Sequence, residues 1–274
     1  MQCGALRTGT PVGTLRAIRL LFSIVFWSFL ALSSMVFFAG AVVLWLVTLP
    51  FDRNGFVLHL YSCFWGQLYM YVNPLWRLRV DGREHLPWKG AAVLVANHES
   101  LGDILVLFGL YRPFKWVSKA SNFKLPFIGW NMWLNRYVGL VRGDRESVAK
   151  MMGACERWLA RGVPILMFPE GTRSADGNIK AFKPGAFALA VKMRCPVIPV
   201  VLTGTARTLP KHGLVLDTKA DCHVQVMPPV DPASCGNDVD ALLEHVRNLM
   251  IAEKARIEAL QGISPKAPDG AISH

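Results

Sequence analysis

Acidic side chains are scarce in this chain: 19 Asp and Glu stand against 30 Lys and Arg, a formal net charge of +11 at pH 7. Such a balance favours acidic partners, namely anionic lipid, phosphate-bearing substrates or nucleic acid. Nucleic acid is the weakest of the three. The chain has no zinc-finger spacing, no RNP-like strand and no basic helix with base-reading side chains. The six cysteines (Cys3, Cys63, Cys155, Cys195, Cys222 and Cys235) form no C-x-x-C pair. This argues against a structural zinc site, gives no disulfide framework and reads as reduced thiols facing the cytosol. Internal repeats and low-complexity blocks are missing too. There is no Gly-x-Ser-x-Gly elbow, and no cysteine stands beside a histidine in a nucleophile pattern, which disfavours a covalent acyl-enzyme.

Ionisable side chains are missing altogether from Leu20 to Phe51. As one helix this stretch would run roughly 48 Å at about 1.5 Å per residue, against a hydrocarbon core of about 30 Å. Three readings compete. Ala39-Gly40-Ala41 resembles a signal-peptide cleavage site, but the apolar run is too long for an h-region and continues to Leu49. The others are a single tilted span and a helical hairpin dipping into one leaflet, bent near Ser33-Ser34 or Gly40. Arg7, Arg16 and Arg19 precede the run, and Arg53, Arg77, Arg79 and Arg83 follow it. Positive charge on both flanks favours both ends on the cytoplasmic side, hence the hairpin. Residues Phe56–Trp76, rich in Tyr, Trp and Leu, suit either the headgroup boundary or a helix packed on a catalytic core.

From Arg77 onward the pattern becomes short apolar runs separated by helical stretches. Arg77–Val80, Ala91–Ala96, Lys115–Ser118, Tyr137–Val141, Val163–Phe168, Val197–Leu202 and Cys222–Met227 read as strands. Leu101–Leu110, Ser147–Arg161, Gly185–Met193 and Val239–Ala259 read as helices. The alternation predicts an α/β fold with a mixed, mostly parallel sheet flanked by helices, preceded by an N-terminal membrane-embedded helical segment. The expected division is a membrane-anchoring region at 1–75, a catalytic domain at 76–235, a C-terminal helix at 236–262 and a flexible tail at 263–274.

Two polar segments leave the ends of apolar runs: Asn97-His98-Glu99-Ser100-Leu101-Gly102-Asp103 and Phe168-Pro169-Glu170-Gly171-Thr172-Arg173-Ser174. Strand carboxyl ends are where ligands bind in open α/β sheets. On one continuous helix His98 and Asp103 would point about 140° apart. The spacing works better with His98 on a loop, Ser100 as N-cap and Asp103 at the third helical position, its carboxylate turned back to the imidazole. A carboxylate on one ring nitrogen fixes the tautomer and leaves the other nitrogen as a base. The alternative is that Asp103 only caps its helix and His98 is a surface residue. Glu170-Gly171-Thr172-Arg173 offers backbone N–H groups, a hydroxyl and a guanidinium, a suitable phosphate cradle. Its alternative is a tight turn with an exposed Arg. Arg142, Arg145, Lys180 and Lys183 lie at or near other loops, and Lys183 directly precedes a helix.

In order along the chain, these residues resemble a family. His98-x4-Asp103 looks like the HX4D motif of the glycerolipid acyltransferases, typified by 1-acylglycerol-3-phosphate acyltransferase. Gly139-Leu140-Val141-Arg142 is similar to the second block, Phe168–Ser174 matches the third, and Cys195-Pro196-Val197-Ile198-Pro199-Val200 resembles the fourth. The resemblance spans about Leu75 to Pro229 and implies a glycerol-3-phosphate acyltransferase-like sheet.

It further implies that His98, oriented by Asp103, is general base on the sn-2 hydroxyl of lysophosphatidic acid. The acyl group would come from acyl-CoA or acyl-carrier protein as co-substrate, giving phosphatidic acid at a bilayer surface. Arg142, Glu170, Gly171, Thr172 and Arg173 would hold the glycerol phosphate, with Arg145 as rival to Arg142 and Lys183 as a further contact. No metal and no other cofactor is implied, and the site would face the cytoplasm at the cell membrane. Rival readings are the same fold on a lyso-ornithine lipid or another lysophospholipid, and a membrane hydrolase using the same His and Asp on water.

Overall fold

A computed structural model describes residues 12–174, 176–209, 214–217 and 219–262. The expected tail at 263–274, together with Cys3 and Arg7, lies outside the described residues. Helix α1 (Val12–Thr48) is followed by α2 (Phe56–Tyr71), and the seven expected strands then appear in order. They are β1 (Trp76–Asp81), β2 (Val93–Ala96), β3 (Lys115–Lys119), β4 (Val138–Leu140), β5 (Ile165–Met167), β6 (Val197–Thr203) and β7 (Ala220–Val226). Between and after them lie α3 (Gly102–Phe108), α4 (Ile128–Leu134), α5 (Arg145–Ala160), α6 (Gly185–Met193) and α7 (Val239–Leu260).

The strands form one sheet in the order β1-β7-β6-β2-β5-β3-β4. Every neighbouring pair is parallel except β6 with β7. The sheet is therefore mixed and mostly parallel, as the alternation of elements predicts. Its central strands are covered on both faces, which is why β2 and β6 are buried along their whole length. The period-2 pleat sorts their side chains between two cores. Leu94, Ala96, Ile198, Val200 and Leu202 join the core beneath α1, α2 and α3. Val93, Val95, Val197 and Val201 join the core beneath α5, α6 and α7.

The N-terminal helix departs from one expectation. It runs unbroken through Ser33-Ser34 and Gly40, and the chain turns only between Thr48 and Phe56. Ser33 and Ser34 each donate to the carbonyl four residues back, at 2.6 Å to Phe29 and Leu30, so the hydroxyls ride on an intact helix. Both also meet the Tyr69 hydroxyl of α2, at 3.1 and 3.2 Å. Gly40 makes no bend; it leaves room for Tyr61, whose hydroxyl donates to the Phe37 carbonyl at 3.0 Å. The bend thus falls after the apolar run, and α2 returns along α1.

Residues Arg16–Thr48 are long and apolar enough to cross a membrane, with mean hydropathy 2.3 in a window only 11% buried. Helix α2 instead packs on the catalytic core. Leu58, His59, Cys63, Trp65, Gln67, Tyr69 and Met70 are all buried, and Gln67 donates to the Leu105 carbonyl of α3.

Candidate active site

Three strand ends meet at the site: β6, β2 and β5, adjacent in the sheet and pointing the same way. Beyond β2, Asn97 clamps its loop to β6 reciprocally. Its side-chain amide donates to the Leu202 carbonyl at 3.0 Å and accepts from the Leu202 N–H at 2.7 Å. His98 follows, with Nδ1 at 2.6 Å from Asp103 Oδ2. That oxygen also accepts the backbone N–H groups of Glu99, at 2.7 Å, and Ser100, at 3.0 Å. The other carboxylate oxygen accepts from the Thr205 hydroxyl, just past β6. An ionised carboxylate is an acceptor only, so the His98 Nδ1 carries the proton. The Nε2 then holds a free lone pair and has no hydrogen-bond partner among the described residues.

Asp103 is fully buried, whereas the His98 side chain keeps 12% of its surface exposed. The imidazole lies flat on Phe168, with centroids 4.1 Å apart and planes 18° apart. Stacking on one face and hydrogen bonding at Nδ1 leave the ring one orientation. The expected cap is displaced by one residue: α3 starts at Gly102, so Asp103 is its second residue, and Ser100 accepts from the Gly102 N–H at 2.9 Å. Back-turning of the carboxylate holds nonetheless.

Glu170 occupies a different place from the one its loop position suggests. Its side chain is buried, with Oε1 accepting the His98 N–H at 2.9 Å and Oε2 the Lys180 N–H at 3.1 Å. Burial pushes this carboxyl up, and the two N–H groups act against that shift. Both oxygens are thus spent on tying the β5 loop to the β2 loop, a tie reinforced by the Ser174 N–H on the His98 carbonyl at 2.7 Å. The turn at Gly171 has φ +69°, a conformation that favours glycine. The Lys183 ammonium lies against this glycine, and the Lys183 N–H donates to the Pro169 carbonyl at 2.9 Å. Thr172 is exposed, and the Arg173 carbonyl accepts from Lys180 at 3.1 Å. Glu170, Gly171, Thr172, Arg173 and Lys183 therefore belong to one basic loop beside His98.

Arg142 and Arg145 stand apart from this group. They are exposed, in the turn after β4 and at the first residue of α5, on the sheet edge two strands beyond β5. Neither makes a hydrogen bond or an ion pair among the described residues.

A protein-family model described as Acyltransferase matches residues 77–203, the stretch that holds both loops and strands β1 to β6. The 1-acyl-sn-glycerol-3-phosphate acyltransferase of Salmonella typhimurium is 31% identical over 202 residues, which are 70% of this chain and 80% of that protein. The chain belongs to the acyltransferase family. A Chlamydomonas reinhardtii protein of the same description is 42% identical over 190 residues, 67% of this chain and 55% of its own length. The chain thus spans little more than half of that relative. The crystal structure of the 1-acyl-sn-glycerophosphate (LPA) acyltransferase PlsC from Thermotoga maritima superposes with a TM-score of 0.71 at 27% identity. That match covers 90% of this chain and 98% of the other.

Within this family frame, one contributor escapes the sequence reading. Thr205 follows β6 in Gly204-Thr205-Ala206, a strand-end Gly-Thr like Gly171-Thr172, and that repetition was the available signal. Gly102 shows how tightly the Thr205 turn is pressed on the dyad. A Cβ there would overlap Thr208 Oγ1 and crowd Ser100 Oγ at 3.0 Å. We expect Gly102→Ala to displace the turn that aligns Asp103, lowering turnover by about tenfold or more while the protein stays folded. Steady-state kinetics with a circular dichroism control would check this, and unchanged turnover would refute it.

Proposed function

We propose that this protein transfers a fatty acyl group from the thioester of acyl-CoA or acyl-carrier protein to the sn-2 hydroxyl of lysophosphatidic acid. The product is phosphatidic acid, a step of phospholipid biosynthesis. The observation that carries this reading is the His98 Nε2, unpartnered beside a basic loop, with Nδ1 committed to Asp103. In the proposed step Nε2 takes the hydroxyl proton as the oxygen attacks the thioester carbonyl carbon. The tetrahedral intermediate collapses by breaking the C–S bond, and the departing sulfur takes the proton back from the imidazolium. An ester and a free thiol result. Asp103 holds the ring through both proton transfers and stabilises the transient cation.

The phosphate of the acceptor is assigned to the basic loop of Gly171, Thr172, Arg173 and Lys183, with Arg142 and Arg145 as outlying cations. Glu170 acts by shaping this loop. The apolar helix α1 is assigned to the bilayer, with the active site at its cytoplasmic surface, where a one-chain lipid and an acyl donor both arrive. The test is thiol release by the detergent-purified chain with acyl-CoA, and in parallel with acyl-carrier protein. Release that requires lysophosphatidic acid and yields phosphatidic acid is the expected result. Equal release with no acceptor would assign a hydrolase, and release only with lyso-ornithine lipid or another lysophospholipid would reassign the acceptor.

A further inference from the structure

Buried cationic groups are ordinarily satisfied by an acceptor or paired with a carboxylate. Two neighbouring arginines of this chain depart from that pattern together. Arg83 follows β1, and Arg112 follows the turn that ends α3. The Arg83 Nη2 donates to the Gly109 carbonyl at 2.8 Å. The Arg112 Nη1 reaches only the carbonyl of Tyr111, at 3.3 Å, and its guanidinium lies 4.3 Å over the Trp88 ring. In each, Nε is buried without a hydrogen-bond partner, and neither guanidinium forms an ion pair among the described residues. Burial, and then the Arg83 charge, lower the affinity of Arg112 for its proton, so the two cations sense one another. Beside Arg83 the surface folds inward as a cavity of about 210 Å³, walled by Trp76 and Leu78 of β1, Tyr71 at the end of α2, and Gly109 and Tyr111 after α3. Tyr111 reaches it from φ +47°, a conformation uncommon for a bulky side chain and one that collects at ligand sites. Burial pushes the Tyr111 phenol up, Tyr71 adds to the shift and Arg83 opposes it, which puts both near its hydroxyl.

We propose that this cavity is a second anion site, which takes a phosphate group between Arg83 and Arg112 and is separate from the basic loop beside His98. Strand β1 is the edge of the sheet, three strands from β2 and antiparallel to it. Arg83, past the carboxyl end of β1, therefore lies toward the end of the sheet away from His98. A guanidinium stays charged and presents a planar fork that pairs with phosphate oxygens two at a time. Two such forks with no carboxylate between them carry the charge that a phosphate offsets. Its oxygens give both Nε groups the acceptor they lack, and a buried charged donor left without one is costly. The Tyr71 and Tyr111 hydroxyls add two more donors. Trp76, at the cavity wall, packs on Phe22 and Phe26 of α1, with centroids 6.1 and 5.4 Å apart. The cavity thus borders the helix assigned to the bilayer. Two sources offer the required chemistry: a soluble phosphate ester, and the phosphate of a lipid headgroup beside α1. The second source rests on the assignment of α1 to the bilayer; the cavity itself does not.

The experiment follows the arginine Nε–Hε resonances of the full chain in a non-ionic detergent, with Arg83 and Arg112 assigned by substitution. Such signals are resolved by residue, so phosphate held by the loop beside His98 does not enter the reading. One titration adds inorganic phosphate and then glycerol 3-phosphate; a second dissolves phosphatidylglycerol in the same micelles. We expect the Arg83 and Arg112 signals to move together and to saturate, while that of Arg77, exposed on the same strand, stays in place. In Arg83→Met, read on Arg112, and in Arg112→Met, read on Arg83, affinity should fall about tenfold or more. Arg77→Met, which removes the same charge, should bind as the wild type does. Saturation with phosphatidylglycerol assigns the lipid headgroup, and saturation with the soluble anions alone assigns a soluble ester. If Arg83→Met fails to fold for want of its bond to Gly109, Arg112→Met decides. A drift that never saturates, or that sodium chloride at matched ionic strength reproduces, would overturn the proposal. So would undiminished affinity in the folded methionine variants. Either result leaves the acyltransferase reading standing, since no step of it passes through this cavity.

Discussion

His98→Ala is expected to lower kcat/KM by on the order of 10²–10⁴, the range a positioned general base contributes. The geometry gives that number its reason. Nε2 has no other hydrogen-bond partner among the described residues, and the ring is fixed by Asp103 at 2.6 Å and by Phe168 at 4.1 Å between centroids. Asp103→Asn should lose nearly as much while leaving the volume unchanged. Its side chain would keep one acceptor where four donors now converge: the His98 ring, two backbone N–H groups and the Thr205 hydroxyl. The amide nitrogen would face hydrogens, and the imidazole would flip its tautomer or turn away. Initial rates at saturating donor measure both effects. A loss below tenfold in His98→Ala would remove the base from the mechanism.

Glu170→Gln is expected to act on kcat and on stability, with KM for the acceptor nearly constant. A substrate-contacting carboxylate would show the reverse, a raised KM. Here one of the two N–H groups, that of His98 or that of Lys180, would meet an amide NH2 in place of an oxygen. A buried donor left unpaired costs about 1–3 kcal/mol. The His98 loop would shift by a fraction of an ångström, enough to lower kcat about tenfold in a site that depends on orientation. Thermal melting and the separate fitting of kcat and KM decide the matter. A raised KM with unchanged kcat would return Glu170 to the phosphate.

Much of this architecture was legible in the sequence because the strands are short, apolar and set at regular intervals by helices. All seven strands follow from runs such as Ala91–Ala96 and Val197–Leu202, and four of the helices follow from their apolar periodicity. Helix α4 was not legible. Its seven residues are too few for a period to declare itself, and it is held by aromatic contacts such as Trp130 on Phe38 of α1, at 5.5 Å. The His98–Asp103 pair and the Gly171 turn could be read because each is local. The tie made by Glu170 was not legible for the opposite reason: its partners are the N–H groups of His98, 72 residues earlier, and Lys180, 10 residues later. No spacing rule reports such a tie. Serine hydroxyls likewise passed for a bend in α1, because sequence does not show whether Ser33 and Ser34 break a helix or bond within it.

The ion pair of Lys254 on α7 with Glu99, the residue after His98, also sets an order of events. Thr205 meets Asp103 across 102 residues, and Lys254 meets Glu99 from farther still along the chain. Among the described elements, synthesis from the N-terminus makes α1 first and α7, which carries Lys254, last. Contacts of such long sequence separation form late, because the intervening loop must be closed before they reward the chain. A nascent chain carrying both motifs but not yet α7 therefore holds Glu99 without its Lys254 partner. The ion pair between α7 and the residue after His98 therefore forms only after the apolar segment has emerged.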